Sequence, residues 1–183
     1  MNKAILIFGP AGSGKTSTVK RIAENEGWTY ISEDEYWNEI KKGKAPEESL
    51  RTHEEQKIIW KQVLEDILHE FSNGNNVALE FLVYEDPPRP LIFYKKHLLE
   101  MGVEVYVKIL KPSYEVMLNR RRQRNLAHDK LFFKNRENGE KNRDYLQYEV
   151  LSSDFIDKNW IIEDKGSSIE TIYKKHFAEI VED

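Results

Sequence analysis

A parallel α/β domain spanning residues 1–183 is predicted by three features of the chain. Residues 4–8 (Ala4-Ile5-Leu6-Ile7-Phe8) form an unbroken apolar run with no polar face, as a strand covered on both sides of a parallel sheet requires. A glycine-rich turn follows at once and leads into a segment where Val19, Ile22 and Ala23 recur at helical spacing. Four more short apolar segments then alternate with helical patterns, which implies parallel strands joined by right-handed crossovers. We find no repeat, low-complexity tract or domain linker.

Taken in order, Gly27 ends the first helix and Trp28-Thr29-Tyr30-Ile31 reads as the second strand. The acidic run Ser32-Glu33-Asp34-Glu35 follows it, then a short helix over 36–40 and a polar connector over 41–49 containing Gly43 and Pro46. Thr52 and Glu55 make a capping box that opens a long helix reaching about Phe71, with Ile59, Trp60, Val63 and Ile67 on its apolar stripe. After the turn Asn73-Gly74-Asn75-Asn76, residues 77–83 predict a buried strand with one acid, Glu80, inside it. The loop Glu85-Asp86-Pro87-Pro88-Arg89-Pro90 cannot be helical at its prolines, and Pro90 suits the first turn of the next helix, which Gly102 stops. Val103, Val105, Val107 and Ile109 predict the fourth strand, and Pro112-Ser113 starts a helix rich in arginine. Residues 126–143 are polar with little periodicity and read as a mobile segment, followed by a helix over 145–151 and a fifth strand over 160–162. Ser167 with Glu170 forms a second capping box for a closing helix carrying Ile169, Ile172, Tyr173, Phe177 and Ile180.

A chain of 183 residues buries roughly 70% of its unfolded surface without staples. It has no cysteine, which excludes disulfides, thiolate metal sites and cysteine nucleophiles. The five histidines are scattered without metal spacing. The N-terminal apolar run is too short for a signal peptide or a membrane span, so we expect a soluble, cytoplasmic protein. The formal net charge is −4, yet residues 120–143 hold nine Lys or Arg against three Asp or Glu. One basic segment in an acidic chain suits a compact polyanion such as ATP better than a long duplex.

The chemistry centres on Gly9-Pro10-Ala11-Gly12-Ser13-Gly14-Lys15-Thr16, the pattern G-x-x-x-x-G-K-T. Gly9, Gly12 and Gly14 let the backbone approach an anion, and main-chain N–H groups through Ala11, Ser13 and Ser17 then cradle phosphate at the positive end of the helix. Lys15 supplies charge for the β- and γ-phosphates of ATP, and the Thr16 hydroxyl is placed to coordinate Mg²⁺. Glu80 ends a hydrophobic strand, where an acid holds the Mg²⁺ hydration shell opposite Thr16; the competing reading is a salt-bridged acid on the sheet, and Glu85 and Asp86 are rivals for the metal. Asp34, just past the second strand, is placed to take the proton of an acceptor hydroxyl, or else to N-cap the following helix. Glu33 and Glu35 read as solvated neighbours. Arg120 and Arg124 share a helix face from which one stacks on adenine and the other meets phosphate, unless the face is merely solvated. Arg136 and Arg143 are weaker phosphate candidates, Arg89 is either an acceptor contact or a surface residue, and Trp37 is a possible wall of the acceptor site.

These residues give the chain a resemblance to the P-loop kinase group that includes adenylate, shikimate and gluconate kinases and the polynucleotide 5′-kinase domain. GPAGSGKT at 9–16, ISEDEYW at 31–37, VALE at 77–80 and the Arg120-x-x-x-Arg124 pair carry it. The resemblance implies a three-layer P-loop NTPase fold with a five-stranded sheet of order 2-3-1-4-5 and a small helical lid at about 125–143. It also implies adenine contacts from Arg120 and from the loop near Asp164-Lys165-Gly166, and places Asp34 at the acceptor hydroxyl. The Gly-Asp and His-Pro signature of gluconate kinases and the Asp-x-Asp of shikimate kinases are absent; the acid followed by an aromatic is shared with the polynucleotide-kinase-like group. The expected activity is transfer of the γ-phosphoryl of Mg-ATP to a hydroxyl of a small molecule such as a nucleoside, sugar or antibiotic. The alternatives are a kinase for polynucleotide 5′ ends, which would make nucleic acid a partner, and a nucleotide-switched regulator; no membrane partner is expected.

Overall fold

A computed structural model describes residues 2–42, 52–137 and 147–181. Five parallel strands form one sheet in the order β2-β3-β1-β4-β5, with β1 at Lys3–Phe8, β2 at Thr29–Ser32, β3 at Val77–Phe81, β4 at Glu104–Pro112 and β5 at Ile161–Asp164. The expected topology is the observed one. Along β1, Ala4, Leu6 and Phe8 face one apolar layer while Ile5 and Ile7 face the other, so strand alternation divides the core in two.

The first layer is closed by α2 (Glu33–Lys41), α3 (His53–Ser72) and α4 (Arg89–Glu100), which bury Trp37, Ile59, Val63, Leu91 and Tyr94. The second is closed by α1 (Lys15–Glu26), α7 (Ile169–His176) and α8 (Ala178–Val181), with Val19, Ile22, Ile172 and Phe177 inside. Between β4 and β5, α5 (Tyr114–Arg124) and α6 (Ala127–Glu137) pack together through Met117, Leu118 and Phe132. Thr52 and Glu55 do form the predicted capping box on α3, and Gly27, with φ +67°, ends α1.

Several expectations are corrected. The helix expected over 36–40 begins at Glu33, because the acids of its first turn suit the positive end of the helix. The segment from 126, aperiodic in sequence but implied by the resemblance to be a helical lid, is helical over Ala127–Glu137: Leu126 O accepts from Asp129 N and Lys130 N, and Phe132 supplies a buried apolar anchor that weak periodicity hides. The rest of the expected lid, 138–143 with Arg143, and the 43–49 connector lie outside the described residues. The helix expected over 145–151 is seen at residues 147–149, runs into a 3-10 turn at Val150–Ser152, and has its first two residues outside the described ones; Trp160 belongs to a second 3-10 turn, Lys158–Trp160, rather than to β5. The cap of α7 is Ser168, whose hydroxyl accepts from Thr171 N, while Glu170 pairs with Arg21 across the layer. Among the described residues no helix is long and apolar enough to cross a membrane.

Candidate functional site

The phosphate loop joins the carboxyl end of β1 to α1, beyond the strand ends where open α/β sheets receive ligands. Gly9 must be glycine for steric reasons: a Cβ there would stand 2.2 Å from the carbonyl oxygen of Leu110 on the neighbouring strand. Gly12 and Gly14 have φ of +86° and +96°, and a Cβ on Gly12 would meet the Arg121 side chain at 2.9 Å. Helices α3, α5 and α7 are capped by the side chains of Thr52, Ser113 and Ser168, whereas α1, like α2 and α4, has no side-chain cap; its cap residue is Gly14 and its first turn carries no acid. Its leading N–H groups are therefore left for an anion. Lys15 is buried, and its Nζ donates to the carbonyls of Gly9 (2.8 Å) and Pro10 (3.2 Å), which holds the ammonium at the loop.

Thr16 Oγ1 donates to Glu80 Oε2 at 2.8 Å. Glu80 is only 6% exposed, and its other oxygen accepts from the Tyr30 hydroxyl at 2.7 Å. Burial, with the Glu80 carboxylate alongside, holds the Tyr30 phenol far above its usual range, so it remains a donor. The oxygen donors of Thr16 and Glu80 fit a hard cation such as Mg²⁺, which takes few protein ligands and fills its octahedron with water and phosphate oxygens. The sequence rivals are engaged elsewhere: Glu85 lies 3.6 Å from Arg89, and Asp86 accepts from Ser153 Oγ at 2.5 Å. No group of three or more His, Asp or Glu side chains suited to a metal forms among the described residues.

Arg120 spans the far side of the loop. Its guanidinium donates to Ser13 O (3.3 Å) and Ser167 O (3.1 Å) and pairs with buried Asp164 at 2.7 Å. Asp164 Oδ1 also accepts from Gly166 N and Ser167 N, which shapes the β5–α7 turn, with Gly166 at φ +105°. Arg120 and Gly166 thus come together beside the phosphate loop. Arg124 is turned away from it: its Nε and Nη2 grip Asp129 at 2.7 and 2.6 Å. Asp129, 1% exposed, also accepts from Arg121 Nε at 2.7 Å, and the Arg121 guanidinium lies 3.6 Å from the centroid of the Phe132 ring.

On the acceptor side, Asp34 is exposed, two residues past the end of β2. It occupies the second helical position, and Ser32 is the cap residue, so the N-cap reading of Asp34 does not hold. The register sets Ser32 opposite Glu80, so Asp34 stands past the same carboxyl end of the strands as Glu80. Glu33 is not solvated: it is 2% exposed and accepts from Trp37 Nε1 (3.3 Å) and Tyr94 OH (3.0 Å). Trp37 is 2% exposed and sits in the core, so it braces Glu33 rather than forming an open wall. Arg89 begins α4 on the surface, with Nη1 3.2 Å from His53 Nδ1. Tyr30, Arg121 and Asp129 escape the sequence reading; the only signal for Asp129 is that it is the first acid after four closely spaced arginines.

Comparison with known proteins gives a consistent picture. RuvB-like protein 1 of Encephalitozoon cuniculi is 36% identical over 118 residues, covering 62% of this chain and 24% of that protein. An adenylate kinase of Pyrococcus furiosus is 31% identical over 108 residues, covering 57% of this chain and 49% of that one. The matches thus span half or less of these curated relatives. Among solved structures, the Deinococcus radiodurans tunicamycin resistance protein superposes with a TM-score of 0.67 at 16% identity, over 98% of this chain and 96% of that one. The Mycobacterium tuberculosis APS kinase, determined with AMPPNP and APS, gives 0.66 at 12% identity over 100% and 98%. At such identities the shared property is the fold. The family model described as AAA domain (AAA_33) matches residues 5–148, from β1 through the phosphate loop, Glu80 and the arginine helix, and the chain belongs to that family of P-loop domains.

Proposed function

We propose that this protein is an Mg²⁺- and ATP-dependent phosphotransferase that moves the γ-phosphoryl group to a hydroxyl of a small molecule. The observation that carries the reading is the Thr16–Glu80 contact at the mouth of an uncapped phosphate loop, with exposed Asp34 past the end of the strand beside Glu80. The loop N–H groups and Lys15 hold the β- and γ-phosphates, and Arg120 with the Gly166 turn borders the nucleotide base. Thr16 and Glu80 are the residues that would hold Mg²⁺, which when bound would supply neutralisation of the phosphate charge. Asp34 accepts the acceptor's hydroxyl proton while the new P–O bond forms and the bond to ADP breaks.

A polynucleotide acceptor is less well supported, because two arginines of the basic segment, Arg121 and Arg124, are already engaged by Asp129 rather than open to a strand. The likeness to an APS kinase and an adenylate kinase favours a small acceptor. The test is ADP release screened over nucleosides, sugars, shikimate-like acids, aminoglycosides and 5′-hydroxyl oligonucleotides. One small hydroxyl class should raise the rate, and with it Asp34→Asn should lower kcat by roughly 10²–10⁴-fold while ATP affinity stays within about twofold. An ADP burst indifferent to every acceptor would establish the switch reading instead. Stimulation by oligonucleotides alone, falling steeply with salt, would establish the polynucleotide one.

A further inference from the structure

We propose that Tyr30 selects the divalent cation of this site by keeping Glu80 a one-oxygen ligand. The inference rests on the reading of Glu80 as the acid that serves the metal, with a carboxylate oxygen on the cation itself rather than on its hydration shell. Tyr30 pairs with Ala78 across the β2–β3 ladder, and Ala78 and Glu80, two apart, share a face of the sheet. The small Ala78 side chain leaves the phenol room to run along the strand to Glu80. Its hydroxyl closes Oε1 at 2.7 Å, while Thr16 Oγ1 marks Oε2 at 2.8 Å as the oxygen on the phosphate-loop side. Lys20 Nζ, 5.8 Å from the ring centroid, flanks the phenol from α1.

A carboxylate tied in this way offers a cation one oxygen. Mg²⁺ is satisfied by that, since it demands octahedral geometry and retains several waters. Ca²⁺ is larger, takes six to eight oxygens and gains from carboxylates that close on it with both. With the phenol oxygen removed, Glu80 can turn and present Oε1 as well, so the preference for Mg²⁺ over Ca²⁺ should shrink.

The experiment measures binding of a fluorescent ATP analogue in Mg²⁺, in Ca²⁺ and in EDTA, for the parent, Tyr30→Phe and Glu80→Gln, with melting curves as the control for folding. In Tyr30→Phe the ratio of affinity in Mg²⁺ to affinity in Ca²⁺ should fall by about tenfold, with affinity in EDTA unchanged. A ratio within about twofold of the parent in a folded variant overturns the proposal. In Glu80→Gln the gain in affinity on adding either cation should largely disappear. If it survives, Glu80 does not serve the metal and the underlying reading falls, whatever Tyr30→Phe shows.

Discussion

The charge on Asp129 ties α6 to α5, and Asp129→Asn measures that grip. Asp129 is 1% exposed and accepts three short contacts: Arg121 Nε at 2.7 Å, Arg124 Nε at 2.7 Å and Arg124 Nη2 at 2.6 Å. In the asparagine variant one oxygen becomes an amide donor facing a guanidinium donor. The Arg121 cation, 3% exposed, then loses the Asp129 charge beside it in the interior. Breaking a buried pair from one side costs about 3–5 kcal/mol. Arg124 is about a third exposed and regains water, so the lower end applies, near 3 kcal/mol. For a chain of this size that corresponds to a fall in Tm of about 6–12 °C, readable by circular dichroism during heating. Adding Arg121→Met removes the buried guanidinium that Asp129 no longer pairs while keeping the contact with Phe132, and should restore about 1–2 kcal/mol. An Asp129→Asn protein within about 0.5 kcal/mol of the parent, or a double variant no more stable than the single one, would refute this account.

Gly9→Ala should cost about 3 kcal/mol or more, because its Cβ has to displace the Leu110 carbonyl 2.2 Å away, whereas Gly74→Ala, at φ +81° with nothing within 4 Å, should cost only about 1 kcal/mol. Equal urea midpoints for the two variants would contradict the steric argument. Burial, with Lys175 and Lys108 nearby, lowers the pKa of His176 from its ordinary 6.5. The folded chain then binds fewer protons than the unfolded one, so this stabilisation is complete above pH 6.5 and is lost as pH falls through the folded value. His176→Gln should flatten the decline in urea midpoint between about pH 7 and about pH 5, and an unchanged slope would exclude His176 as its source.

Much of the fold was legible because its signals are contiguous. An unbroken apolar run, a capping box or a glycine after the last helical residue each acts within one segment, and β1, the α3 cap and the α1 terminus appear where those signals place them. The α6 helix was not legible in its own periodicity, only in the resemblance that implied a helical lid, since its stability comes from partners. Phe132 reaches Met117 and Leu118, and Asp129 reaches two arginines of the preceding helix. Arg124 illustrates the same limit. Its spacing from Arg120 shows that the two share a face, but not that an acid five residues later takes its guanidinium.

The site divides along the same line. The phosphate loop can be read from sequence because one stretch supplies the turn, the lysine and the threonine. Glu80 is recognisable as a costly acid in an apolar strand, yet the partners that make it tolerable lie in β2 and α1. Which partners those are is a matter of strand register: Tyr30 opposite Ala78 and Ser32 opposite Glu80 bring a phenol to one carboxylate oxygen and leave Thr16 at the other. A one-residue slip of β2 would put Tyr30 on the opposite face and leave the Glu80 Oε1 without its donor. The same arithmetic separates the two acids after β2. Glu33, first in the helix, turns inward to Trp37 and Tyr94, while Asp34, about 100° further round, meets solvent. In the proposed phosphotransfer the base must be an acid that the acceptor can reach, which Asp34 is and Glu33 is not, and the buried Glu33 fixes where Asp34 stands.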